Sequence, residues 1–170
     1  TTPEENLNMI RDTCNFFKSH GKKIFFDAEH FFDGYCTDGK YSMAALAAAV
    51  DGGADCLVLC DTNGGVFPHT VEQVVGKVGR EFSYGKIGIH CHNDCGMAVA
   101  NTIIGVEAGA DHVQGTYLGF GERCGNANLS TVIANLQLKL GYSCIPPECM
   151  TELTHAAHTV AETSNIMLHR

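Results

Sequence analysis

No apolar run in this sequence approaches the roughly 20 residues that a helix needs to cross a bilayer. The polar start, Thr1-Thr2-Pro3-Glu4-Glu5, has neither the basic stretch nor the apolar core of a signal peptide. Membrane is therefore not expected as a partner. Positive charge is also scarce: 11 Lys and Arg face 19 Asp and Glu, a formal net charge of −8. No basic patch is available to neutralise phosphates, which argues against nucleic acid as a partner. A further lack is any C-x-x-C pair. The nine cysteines are odd in number and lie inside strand and helix patterns, so they read as reduced thiols of a cytoplasmic protein. There is no strand-following G-x-G-x-x-G and no Walker pattern either. What remains is globular: 170 residues, 45% apolar and 18% charged, enough for one domain with a sizeable core.

Taken in order, Thr2-Pro3-Glu4-Glu5 reads as a helix start, with Thr2 as cap and Glu5 completing a capping box. Leu7, Ile10, Cys14 and Phe17 mark the apolar face, and Gly21 ends the helix. Residues Lys23 to Glu29 read as a short buried strand ending in acids. A helix is expected from Tyr41 to Gly53, a strand over Asp55–Cys60, and a helix over Pro68–Phe82 with Val71, Val74, Val75 and Val78 inward. Gly76 and Gly79 weaken that helix. Lys86 to His92 forms the next strand, stopping at Asn93-Asp94, Gly96–Ala108 a helix, and His112–Tyr117 a fourth strand. The Gly-rich loop Leu118–Ala127 leads into a helix over Leu129–Leu140. Pro146-Pro147 breaks the pattern before a last helix from Glu148 toward Ser164.

These are four strand–helix units. Gly53-Ala54-Asp55 and Gly109-Ala110-Asp111 repeat the same step from helix to strand. Strands that are apolar throughout are buried on both faces, so the class is α/β with a parallel sheet covered by helices. Units of this length suit a (β/α)8 barrel of TIM type or a doubly wound sheet. A whole barrel takes about 250 residues, so four units make half of one.

The polar clusters gather at one end of the strands. Alternation puts His90 and His92 on the same face, where two neutral imidazoles can take adjacent positions on one divalent ion. The plain alternative is a pair of histidines satisfied by hydrogen bonds at a strand end. Glu29-His30, Asp61-Thr62-Asn63, His90/His92-Asn93-Asp94 and Gly121-Glu122-Arg123 all follow the C-terminal ends of strands, which ring one mouth in a barrel. Singly, Glu29 could be a loop acid and Asp61 could satisfy turn backbone. Four such clusters at the same ends are more economically one shared site. The loop from Gly119 to Asn128 stays open to several readings: a phosphate turn, a lid, Asn128 as helix N-cap, or Glu122 as acid–base group with Asn126 as an oxygen donor near the metal.

Gly88-Ile89-His90-Cys91-His92-Asn93-Asp94, with Gly121-Glu122-Arg123-Cys124-Gly125-Asn126-Ala127-Asn128-Leu129, resembles the metal-dependent acyl-CoA condensing barrels. These are the citramalate, 2-isopropylmalate and homocitrate synthases, with 3-hydroxy-3-methylglutaryl-CoA lyase as a relative. Phe26 to Tyr35 and Leu59 to Gly65 most resemble the citramalate branch. The resemblance implies that His90, His92 and Asn126 hold a divalent ion (zinc, manganese, cobalt or magnesium) and that Glu29 and Glu122 form the acid–base network. Thr62, Asn63 and Asn93 would contact the substrate. It implies condensation of acetyl-CoA with a small 2-oxo acid, most closely pyruvate; open strand edges and exposed apolar faces add the expectation of a homo-oligomer. The family's first-strand aspartate and arginine are not in this sequence. The resemblance thus places residues 1–142 as the C-terminal half of a barrel, strands five to eight, and 143–170 as a linker and the start of a helical subdomain. Such a partial chain is expected to be inactive alone. A lyase on the same framework is the competing reading, with Cys124 in a loop like the one where lyases keep a cysteine. A third is a non-enzymatic half-barrel that pairs with itself through its open edges.

Overall fold

The computed structural model describes residues 1–83 and 85–167. Helix α1 (Pro3–Ser19) starts at the expected capping box: Thr2 Oγ1 accepts from Glu5 N at 3.1 Å, and Glu5 Oε2 accepts from Thr2 N at 3.3 Å. Its buried contact is Cys14, whereas Phe17, expected on the same face, is 48% exposed. Strand β1 (Phe25–Ala28) is shorter and more open than expected. It forms one edge of the sheet, so only Ala28, which faces the helices, is buried.

Helix α2 (Phe31–Asp51) begins ten residues before the expected Tyr41. The helix breaks at Asp38 (φ −144°, ψ 81°), whose Oδ1 accepts from Tyr41 N. The alanine-rich half therefore does start where its pattern does, and a first half carrying the buried Phe31 and Phe32 precedes it. Strand β2 (Cys56–Asp61) is buried at all six positions. Helix α3 (Pro68–Glu81) buries Val71, Val74, Val75 and Val78 as expected, and its glycines do not shorten it. Strand β3 (Lys86–Cys91), helix α4 (Ala98–Glu107) and the three-residue strand β4 (His112–Gln114) follow. Helix α5 (Leu129–Leu138) is capped by Asn128, whose side chain accepts from Ser130 N. A 3-10 turn (Pro147–Glu152) leads into α6 (Leu153–Thr163).

The four strands make one parallel sheet in the order β1-β2-β3-β4. The Gly-Ala-Asp repeat serves the same join twice. Gly53 and Gly109 take left-handed φ of 92° and 114°, and Asp55 N and Asp111 N then donate to Ile24 O and Ile87 O beside the neighbouring strand. Leu57, Leu59, Ile87 and Ile89 pack outward with Leu46, Val71 and Val75 of the helices. Fully burying one such side chain contributes about 1.5–3 kcal/mol. Cys56, Val58 and Cys60 form a separate cluster on the other face. That face is the one carrying Asp27, His90 and Gln114, since alternate residues share a side.

The expected numbering of these strands as five to eight of a barrel is corrected. The described residues form four consecutive parallel strands, and nothing in their order makes them the last four of eight.

Candidate active site

The end of β3 and the loop after β4 are tied together by backbone. Asn93 N donates to Gly125 O at 2.9 Å, and Ala127 N donates to Cys91 O at 3.0 Å. An antiparallel bridge between His92 and Asn126 results. This folds the Gly-rich loop back over the strand ends and sets Asn126 beside the histidines. Gly121 permits it, because a Cβ there would overlap the Asn126 carboxamide.

His90 and His92 project from one face as their spacing predicts, with ring centroids 5.2 Å apart and planes 16° from parallel. His90 Nε2 lies 2.8 Å from Asn126 Oδ1, and His90 Nδ1 lies 2.8 Å from Gln114 Oε1. Both carboxamides are pinned: Asn126 Nδ2 donates to Phe120 O, and Gln114 Nε2 donates to Asp27 Oδ1. Both imidazole nitrogens of His90 thus face oxygen acceptors, and a neutral ring has only one N–H to give. With the proton on Nδ1, the Nε2 lone pair and the Asn126 oxygen lone pair point at each other. His92 Nδ1 is buried and has no hydrogen-bond partner. Opposed lone pairs beside an orphaned imidazole nitrogen are a donor set that fits a divalent cation.

Asp27, Cys60 and His90 also bring ligand atoms within 4.8 Å of one another. Burial pushes the Cys60 thiol far up, and the thiol donates to Val58 O. Asp27 is engaged with Gln114.

Glu29 and Thr62 meet across β1 and β2. Thr62 Oγ1 donates to Glu29 Oε2 at 2.7 Å and accepts from His30 N at 2.7 Å. His30 takes a left-handed φ of 55° to make this turn. Asp61 is buried and accepts from Gly65 N and Val66 N, the turn-satisfying use open to it from sequence. Burial raises its pKa against those backbone donors.

The other expected residues sit further out. Asn63 donates to Asp33 at 2.6 Å on the surface. Asn93 Oδ1 accepts from Ala98 N at the start of α4, so its oxygen holds the helix. The Glu122 side chain is 83% exposed, 3.7 Å from Arg123. Arg123, with φ 53°, is a clamp: Nε and Nη2 grip Asp94 at 2.8 and 3.0 Å, and Nη2 also donates to Thr62 O at 2.6 Å. Its hydrogen bonds hold the Asp94 carboxyl below the usual range. Three loops are thereby locked to one another.

The roles of Asp27, Gln114 and the Arg123–Asp94 pair were not drawn from the sequence. Asp27 shares its strand parity with Glu29, a signal the sequence holds, whereas Gln114 meets His90 only through the register of β3 and β4.

Among the described residues no helix is long and apolar enough to cross a membrane. The chain is 52% identical over 170 residues to the (R)-citramalate synthase of Aquifex aeolicus, covering 100% of this chain and 32% of that protein. It is 38% identical over 141 residues to the 2-isopropylmalate synthase of Sulfolobus acidocaldarius, covering 83% of this chain and 36% of that protein. It spans about a third of the length of these curated relatives. Among solved structures it is similar to the HMG-CoA lyase of Bacillus subtilis, with a TM-score of 0.77 at 20% identity, over 100% of this chain and 59% of that one. At that identity the likeness speaks for the fold. A family profile described as HMGL-like matches residues 1–166, and the chain belongs to the HMGL-like family.

Proposed function

We propose that this chain is part of an acyltransferase that condenses acetyl-CoA with a small 2-oxo acid, pyruvate first among them, to give citramalate. The observation that carries the reading is the opposition of His90 Nε2 and Asn126 Oδ1 beside His92, at a mouth that also holds the Glu29–Thr62 pair. The greater identity to a citramalate synthase than to a 2-isopropylmalate synthase supports the choice of pyruvate. Residues 1–142 are read as half of a (β/α)8 barrel and 143–170 as a linker into a helical subdomain. The free edges of β1 and β4 support association with further strands, whether from the same protein or from another copy in a homo-oligomer. The setting is cytoplasmic.

His90, His92 and Asn126 would hold the divalent ion, which polarises the carbonyl of the 2-oxo acid when bound. Imidazole and carboxamide donors with oxygen substrates suit zinc, manganese, cobalt or magnesium. The Thr62 hydroxyl donates to Glu29 and fixes that carboxylate, leaving its other oxygen to take a proton from the acetyl methyl. The enolate adds to the carbonyl carbon of the 2-oxo acid, and hydrolysis of the thioester then releases CoA. Glu122 joins this acid–base network from the rim. Thr62, Asn63 and Asn93 line the approach for the 2-oxo acid.

The test is CoA release from acetyl-CoA by a protein of the relatives' length carrying this segment. Pyruvate should outpace 2-oxoisovalerate and 2-oxoglutarate, and the 170-residue chain alone should show no turnover. Thiol release that pyruvate fails to stimulate would reject the reading.

A further inference from the structure

Gln114 lies on β4, 24 residues from His90 and 87 from Asp27, yet it touches both. Its carboxamide nitrogen donates to Asp27 Oδ1 at 3.0 Å, and its oxygen sits 2.8 Å from His90 Nδ1. We propose that Gln114 is a positioning residue that fixes the tautomer of His90, with Asp27 as the anchor that fixes Gln114. The inference rests on the metal-site reading above, toward which it points the free nitrogen of His90.

The direction of the relay follows from which atoms can donate. A carboxylate only accepts, so Asp27 selects the amide orientation that turns NH2 toward itself. The amide oxygen is then left facing His90 Nδ1, which takes the proton whenever Nε2 is given to an ion rather than to Asn126 Oδ1. The Nε2 lone pair is thereby aimed at the space beside Asn126 Oδ1. Reversing the amide would let its NH2 donate to Nδ1 in the other tautomer but would set its oxygen against the Asp27 carboxylate, so Asp27 decides the orientation. Residues that orient a ligating imidazole through its other ring nitrogen typically support about 10–100-fold in metal affinity.

Gln114 touches neither the expected substrate space nor the ligand atoms themselves. A purely packing role would leave the His90 tautomer unmoved, and that is the discriminating readout. Long-range 1H–15N NMR on the metal-free chain at mildly alkaline pH reports which ring nitrogen bears the proton, with the His90 signals identified by their loss in His90→Ala. In the metal-free chain Gln114 and Asn126 compete for the one ring proton, so native His90 should show a substantial share of Nδ1–H. Gln114→Leu should lose that share to Nε2–H, Asp27→Ala should shift it less in the same direction, and Gln114→Glu, which retains an oxygen facing Nδ1, should keep it.

Mn2+ binding followed by electron paramagnetic resonance gives the second readout. Manganese is chosen because nine free thiols would compete for a softer ion. Gln114→Leu should bind Mn2+ about 10–100-fold more weakly. If Gln114→Leu does not fold, Asp27→Ala, at an exposed edge-strand position, decides the matter. An unchanged share of Nδ1–H His90 in both variants overturns the relay, whatever the metal affinity. A tautomer shift in a chain that binds no Mn2+ in any form upholds the relay and removes the metal-site reading instead.

Discussion

The Asn126 oxygen and His90 Nε2 stand 2.8 Å apart while the Asn126 amide nitrogen is committed to Phe120 O, so the carboxamide cannot turn over without losing that bond. Gly121 is what lets the carboxamide lie there, since any side chain at 121 would occupy its place. Gly121→Ala should therefore displace Asn126 and lower Mn2+ affinity by at least about tenfold, comparable with loss of a supporting residue. Circular dichroism should stay native, because the loop lies outside the core. Unchanged affinity in Gly121→Ala would separate Asn126 from the metal site.

Arg123 and Asp94 should make the loop cluster sensitive to acid. The hydrogen bonds from Arg123 hold the Asp94 carboxyl below its ordinary value, so its folded pKa lies under its unfolded one. The stabilisation is complete above the ordinary carboxylate range and is lost as pH falls through the depressed folded value. Arg123→Ala removes the partner, so amide protection around 123–126, corrected for the intrinsic pH dependence of exchange, should already be low at neutral pH and change little on acidification. The native chain should show protection that collapses only below the usual carboxylate range.

Glu29 and Thr62 should separate in their effects on turnover. In a protein of full relative length, Glu29→Gln removes the proposed base and should lower kcat by about 10²–10⁴-fold with little change in KM. Thr62→Val leaves the carboxylate but removes the hydroxyl that donates to it and accepts from His30 N. Its effect should be smaller and of the same kind. A Glu29→Gln variant with native kcat would transfer the proton-taking role elsewhere.

Asn128 is a local device independent of the chemistry. Its side chain accepts from Ser130 N at 3.1 Å at the start of α5. Asn128→Ala should lower unfolding stability by about 1 kcal/mol in a denaturant titration while leaving Mn2+ affinity within twofold.

What was legible in the sequence is what depends on neighbours along the chain. The capping box at Thr2, the valine face of α3 and the pairing of His90 with His92 are all fixed by spacings of a few residues. Only the second half of helix α2 shows in the sequence, because Gly34 and Gly39 dilute the pattern of the first, and Asp38 breaks the helix where its own side chain caps the continuation. The Gln114–Asp27 and Arg123–Asp94 contacts join residues 87 and 29 positions apart. They exist only because four strands lie in register and one loop folds back, which no local pattern encodes. Glu122 and Asn63 carry motif signals, but a motif gives a side chain's identity and not its contacts, here Arg123 for Glu122 and Asp33 for Asn63.

The account stands on one claim, that His90, His92 and Asn126 converge on a divalent ion. Calorimetric titration of Mn2+ into the 170-residue chain, beside His90→Ala with His92→Ala, tests it most directly. The account predicts one saturable site per chain in the native protein and its loss in the double variant. Equal affinity in the two would contradict it.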